Sequence, residues 1–340
     1  MSDRVRIHRR RLCGTLMFVG LSGASLNVAC TPHGSAVPRT SEDRAVAVHE
    51  GFVPAGRGVE LFYRAVGEGP DTAVVVHGGP GFGLESLAAD LAPLARDRVL
   101  IFYDQRGTGR STLLTDSTRL TVAEHVADLG AVIAHFRLAR PALIGHSWGA
   151  GLVVRYAAAH PRGVGAVVLL EPIVPRLVPY FAQFNEALVA RATPQELKAF
   201  ATASAPARWQ AAPLASCHAR MQILMHLWGG ADSVRARVRG NPCAMSAEAY
   251  RAVQAYTVPA AVASLAGGDL RSSAAAITGP VLLVEGLRDP TPTAAVDEWA
   301  AVLSRVTRLR VAAGGHFAHA ERPEFVLPAV DAFLRRATDR

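Results

Sequence analysis

The stretch ALIGHSWGAG, Ala142–Gly151, sets Ser147 between the bulky rings of His146 and Trp148 and flanks the three with Gly145, Gly149 and Gly151. An apolar, strand-like run precedes it and a helix-like run, WGAGLVVRYAAAH, follows. A G-x-S-x-G pattern at a strand-to-helix junction predicts a sharp turn that lifts a serine hydroxyl above a sheet. The backbone is crowded at such a turn, so the positions two before and two after the serine must carry almost no side chain. Gly145 and Gly149 meet that demand. The chemistry this offers is nucleophilic acyl transfer.

A serine hydroxyl is a weak nucleophile until a base takes its proton, and the base needs a carboxylate to fix its tautomer and stabilise its charged form. For a serine on this kind of turn, the acid and then the histidine follow it along the chain. VEGLRDPTP places Asp289 directly after a strand, and VAAGGHFAHAERP places His316 after the last strand. Asp297 lies within a helical stretch, Glu285 sits at a strand end and His319 lies further from its strand, so Asp289 and His316 are the expected partners of Ser147. The oxyanion also needs backbone donors, each typically worth ~10²–10³ in rate. HGGPG (77–81) follows a strand and its glycines let a backbone N–H approach the substrate. Gly79 and Trp148 are the expected donors, with His77 a scaffold residue. No C-x-x-C or histidine pair at ligand spacing suggests a metal, and no cofactor is expected.

These residues need a frame. GVELFYRAVG (58–67) alternates as an edge strand does. AVVVH (73–77), VLIFYD (99–104), ALIG (142–145), AVVLL (166–170), VLLVEG (281–286) and RLRVAAG (308–314) are short, rich in β-branched residues and mostly apolar, as strands buried on both faces are. Helical periodicity fills 121–138, 148–160, 293–305 and 322–337. Strand and helix in alternation predict an α/β protein with a mostly parallel central sheet flanked by helices. Residues 172–277 break the rhythm with alanine-rich, helix-prone sequence, read as a helical lid inserted between two strands. The expected core is then 51–171 with 278–340.

The chain has 340 residues and a formal charge of +8. Arg4, Arg6, Arg9, Arg10 and Arg11 against the single Asp3 carry half of that charge; the remainder is scattered, which argues against nucleic-acid binding. A charged start, a moderately apolar stretch (12–29) and then Cys30 predict an export signal over 1–30. Residues 31–50, rich in proline, serine and charge, predict a flexible tether. Cys217 and Cys243 are the two cysteines of the body, and export would leave them free to form a disulfide.

With HGGPG, DQRGTGRS (104–111), GHSWG, GLRDP and GGH in this order, the chain resembles the α/β-hydrolase superfamily and, within it, the prolyl aminopeptidase (proline iminopeptidase) branch. The resemblance implies a serine hydrolase with Ser147, Asp289 and His316 as triad, Gly79 and Trp148 at the oxyanion hole, and Asp104 and Arg106 bracing the HGGPG loop. It also implies release of an N-terminal residue, often proline, from peptides. That branch usually carries glycine where His146 stands, whereas esterases of the fold often carry histidine, so a carboxylic-ester or lactone hydrolase is the alternative. A non-catalytic binder on the same fold is a third reading. Selectivity for a free amino terminus requires a buried carboxylate; Glu171, Glu186 and Glu248 are the candidates. SLNVAC (25–30) resembles the lipobox of bacterial lipoproteins, with Asn27 in place of the usual leucine, and implies an envelope protein anchored to a membrane by lipid on Cys30. The partners expected are a small peptide or ester and that membrane.

Overall fold

The computed structural model describes residues 47–230, 236–265 and 268–338. The signal segment, Cys30 and the tether up to residue 46 lie outside them. Eight strands form one sheet: β1 (Val48–Pro54), β2 (Glu60–Val66), β3 (Asp71–Val76), β4 (Arg98–Tyr103), β5 (Ala142–His146), β6 (Ala166–Leu170), β7 (Val281–Gly286) and β8 (Val306–Val311). Their order across the sheet is β1-β2-β4-β3-β5-β6-β7-β8. β1 and β2 run antiparallel, and every pairing from β3–β4 onward is parallel.

β3 to β7 follow the apolar runs closely; β8 is the other edge of the sheet and begins at Val306, and only Val311 of it is buried, so the expectation of burial on both faces is corrected there. Alternate residues of β3 feed opposite layers: Val74 and Val76 pack with Leu129, Val153 and Trp299 on one face, while Ala73 and Val75 pack with Leu91, Val330 and Phe333 on the other. The helices that supply these layers are α1 (Ala88–Leu91), α2 (Val122–His135), α3 (Trp148–Ala159), α11 (Thr293–Val302) and α13 (Pro323–Thr338). Thr121 caps α2 by accepting from the Glu124 N–H, as its position before an apolar-periodic run predicts.

Two sequence expectations are corrected at the start of the sheet. The strand over 60–66 is not its edge, because β1 pairs outside it, and β1 begins at Val48, within the stretch assigned to the tether. VHEGFVP is exposed along most of its length, so β1 carries no alternating signature. The edge position explains why: the strand pairs on one side only, and Val53 is its one fully buried side chain.

Between β6 and β7 the described chain is helical: α4 (Leu177–Arg191), α5 (Pro194–Ser204), α6 (Pro206–Ala211), α7 (Pro213–Trp228), α8 (Ala247–Ala252), a π-helical turn at Val253–Thr257, α9 (Val258–Leu265) and α10 (Arg271–Ala275). A disulfide joins Cys217 of α7 to Cys243 ahead of α8, with Tyr250 packed beside it. The pair is 26 residues apart in sequence; closing such a loop restricts the unfolded chain and stabilises the fold by roughly 3 kcal/mol. The Cys217→Ala/Cys243→Ala double variant is therefore expected to unfold at lower urea by about that amount, and to have lost the wild type's sensitivity to reductant. No helix among the described residues is long and apolar enough to cross a membrane.

Candidate active site

The turn after β5 takes the strained form that GHSWG predicts. Ser147 has φ 52° and ψ −118°, a region costly for a side-chain-bearing residue. It is held by a backbone bond from its N–H to the Leu170 carbonyl at 3.0 Å and one from the Ile173 N–H to its own carbonyl at 3.1 Å. A Cβ on Gly149 would lie 2.3 Å from the Val76 carbonyl oxygen, and one on Gly145 would lie 2.6 Å from the Ala150 Cα. The glycines are there because strand and helix backbones pass through the space their side chains would need.

Asp289 and His316 come from loops after β7 and β8 and converge on Ser147. His316 Nε2 lies 2.9 Å from Ser147 Oγ, and His316 Nδ1 lies 2.8 Å from Asp289 Oδ2. Asp289 Oδ1 accepts from the Thr291 N–H at 2.8 Å, which fixes the carboxylate plane. With His316 carrying its proton on Nδ1 and donating it in a hydrogen bond to Asp289, Nε2 is left to accept from the serine hydroxyl, the arrangement that general-base activation requires. His319, the other base weighed from sequence, lies elsewhere.

The donor loop is set by a residue that sequence reasoning passed over. Gln105, inside DQRGTGRS, donates from its side chain to the His77 carbonyl at 2.8 Å, and its Oε1 accepts from the Trp148 indole at 3.0 Å. It thereby ties the HGGPG loop to the helix that begins beside Ser147. The Gln105 backbone N–H donates to His77 Nε2 at 3.1 Å, so His77 carries its proton on Nδ1, 2.9 Å from the Gly78 carbonyl. The Gly79 N–H enters none of the turn or loop hydrogen bonds among the described residues, and the Trp148 N–H, first in α3, has no partner within its helix. Both are available to an oxyanion.

Asp104 and Arg106 brace the surroundings rather than HGGPG itself. Asp104 accepts from the backbone N–H groups of Leu84 and Arg110 at 2.7 and 2.8 Å. Arg106 pairs with Asp128 on α2 at 2.6 Å and with Glu124.

His77 is fully buried, and burial lowers its pKa to about 4. The unfolded chain therefore takes up a proton near the ordinary pKa of ~6.5 that the native state refuses until about pH 4, so stability is lost as pH falls through that window. The integrated effect is about 3 kcal/mol. Urea unfolding of wild type and His77→Gln at pH 7 and pH 4 is expected to show a pH-dependent loss smaller by about that amount in the variant.

Of the three carboxylates proposed for an amino terminus, none faces the space in front of Ser147. Glu186 and Glu248 are exposed on α4 and α8. Glu171 is buried behind the nucleophile, with Oε2 3.1 Å from His319 Nδ1. Burial pushes Glu171 well above the usual carboxylate range, helped by the charges of Asp289 and Glu321, and lowers His319 to about 3. His146 belongs to the same cluster and is kept neutral by burial and by the neighbouring His319 and His316 rings. The ligating atoms of His146, Glu171 and His319 lie within 4.8 Å of one another. His146 Nε2 faces the His316 carbonyl at 2.8 Å, so the cluster abuts the backbone of the base.

The lid takes part in the site. The His316 N–H donates to the Trp228 carbonyl at 2.8 Å. Glu321, from α12 (Ala318–Glu321), accepts from the Gly230 N–H at 2.9 Å and from the Gly315 N–H. In front of Ser147 and His316 lies a cavity of about 1,110 Å³, walled mainly by apolar lid side chains such as Phe184, Leu188, Phe200, Met221 and Leu224.

A strained serine between a parallel strand and a helix, a histidine and an aspartate delivered by later loops, and a helical lid before the seventh strand define a class. The chain belongs to the α/β-hydrolase fold family, whose model matches residues 73–323. It is similar to the proline iminopeptidase of Heyndrickxia coagulans, 36% identical over 124 residues, which is 36% of this chain and 43% of that protein. The chain thus spans less than half the length of that relative. Among solved structures it resembles a proline iminopeptidase of Mycobacterium smegmatis (TM-score 0.64, 22% identity, covering 85% of this chain and 98% of the other). It also resembles an esterase of Thermogutta terrifontis (TM-score 0.63, 17% identity, covering 85% and 99%). At those identities the likeness is one of fold.

Proposed function

We propose that this chain is a serine hydrolase working through an acyl-enzyme on Ser147, a reading carried by the contacts that link Ser147, His316 and Asp289. Ser147 Oγ attacks the substrate carbonyl as its proton passes to His316 Nε2, and Asp289 stabilises the imidazolium. The oxyanion is received by the N–H groups of Gly79 and Trp148. Collapse expels the amine or alcohol with the proton from His316, and a water activated by the same base releases the acid.

The substrate reading supported by the order of motifs and by the proline iminopeptidase relatives is removal of N-terminal residues, proline foremost, from peptides. A carboxylic-ester or lactone hydrolase is the second reading. It is favoured by the apolar cavity and by the distance of Glu171, Glu186 and Glu248 from it, since a desolvated ammonium needs a paired charge. Turnover of proline and alanine 4-nitroanilides beside 4-nitrophenyl butyrate and a γ-lactone separates the two. Anilide release supports the peptidase, and ester or lactone cleavage without it supports the alternative. Failure of a fluorophosphonate to label the wild type would leave the non-catalytic binder. Export and lipid attachment at Cys30 are further proposals from the sequence: wild type should partition into Triton X-114 detergent and Cys30→Ala should not.

A further inference from the structure

We propose that Arg220 binds a carboxylate on the substrate, remote from the bond that is cleaved. This rests on the hydrolase reading but not on whether the bond is an amide or an ester.

Among the described residues the cavity wall carries very little charge: Glu196 and Arg220, besides His146 and the catalytic His316. Glu196 is already committed. Its Oε2 accepts from the Thr193 N–H and hydroxyl at 2.9 Å each, and its Oε1 lies 2.6 Å from His226 Nδ1. Arg220 is not. Its Nη1 donates to two neutral groups, the Gln254 side-chain oxygen and the Tyr250 hydroxyl. Its Cζ lies 5.5 Å from the centre of the Phe200 ring. No carboxylate among the described residues forms an ion pair with it, and its Nε is buried with no hydrogen-bond partner.

A guanidinium with no paired carboxylate in the wall of an apolar cavity carries an uncompensated charge, and a ligand carboxylate would pair it. Nη2 makes no hydrogen bond among the described residues and, unlike Nε, is not sealed from solvent, so a charge-assisted bond to a carboxylate oxygen can form there. A dipolar or anionic substrate would set its apolar body among Phe184, Leu188 and Leu224 and its carboxylate on Arg220, leaving the carbonyl at Ser147. Two chemistries supply that carboxylate: the free C-terminus of a short peptide, and the distal acid of a dicarboxylic monoester.

Two matched pairs distinguish them: prolyl-alanyl-phenylalanine against its C-terminal amide, and 4-nitrophenyl hydrogen adipate against 4-nitrophenyl hexanoate. In at least one pair the wild type is expected to favour the carboxylate in kcat/KM by roughly tenfold or more. Arg220→Gln should erase that preference while leaving the neutral member within about threefold, and Arg220→Lys should keep part of it. Adipate should also raise the melting temperature of wild type and not of Arg220→Gln, a readout that needs no turnover. The proposal is overturned if wild type shows neither a carboxylate preference nor an adipate shift, or if Arg220→Gln lowers both members of each pair alike. Arg220 would then be a brace between α7 and the residues around Tyr250. Failure of the hydrolase reading looks different: no fluorophosphonate labelling, with the adipate shift intact.

Discussion

Ser147→Ala is expected to lower kcat by roughly 10⁴- to 10⁶-fold while leaving the fold and substrate binding in place. Only the hydroxyl is lost, so the Gly79 and Trp148 donors and the cavity remain, and KM should move little. Because the triad acts as a unit, His316→Ala should fall in the same range and the double variant should add almost nothing. Circular dichroism and thermal unfolding establish that the variant is folded; a decrease of less than tenfold on the best substrate would refute Ser147 as nucleophile.

Gly149→Ala is expected to damage stability and activity together. Its methyl would sit 2.3 Å from the Val76 carbonyl oxygen and 2.5 Å from that of His77. Both obstacles are backbone, so either the end of β3 or the start of α3 must give way, at a cost of about 3 kcal/mol. The displaced segment leads into HGGPG, so the oxyanion donor moves with it and kcat should drop by roughly 10² or more. Gly151→Ala is the control: its methyl would meet the Ile173 Cγ2 at 3.1 Å and the Leu270 Cδ1 at 3.6 Å. Side chains can yield there, and alanine favours the helix, so a change within about 1 kcal/mol is expected. Equal behaviour of the two variants in urea unfolding would contradict the steric account.

The contrast between these glycines shows what the sequence discloses. Gly145 and Gly149 are readable because the turn's steric requirement is local and recurs wherever a strand, a serine and a helix meet. Asp289 and His316 are readable because parallel strands deliver their C-terminal loops to one edge of the sheet. Glu171 follows β6, which neighbours β5, but the side of the sheet its carboxyl takes depends on packing against His146 and His319. Gln105 carried a weak signal, a polar residue within a charged motif directly after an apolar strand. The cavity wall was not legible at all. Its residues come from several lid helices whose mutual arrangement follows from contacts between distant segments and from the Cys217–Cys243 bond, not from any local pattern.

The anchoring of the lid by Glu321 ties specificity to rate. One carboxylate holds the backbone at both Gly230, where the lid ends α7, and Gly315, beside the base. An exchange of lids between relatives would therefore carry a hidden passenger. A graft ending before Trp228 keeps the native tether of the base, whereas one that replaces residues 228–230 re-sets the position of His316 along with the shape of the cavity. Selection acting on what this enzyme accepts has the means to tune how fast it turns over through the same few residues.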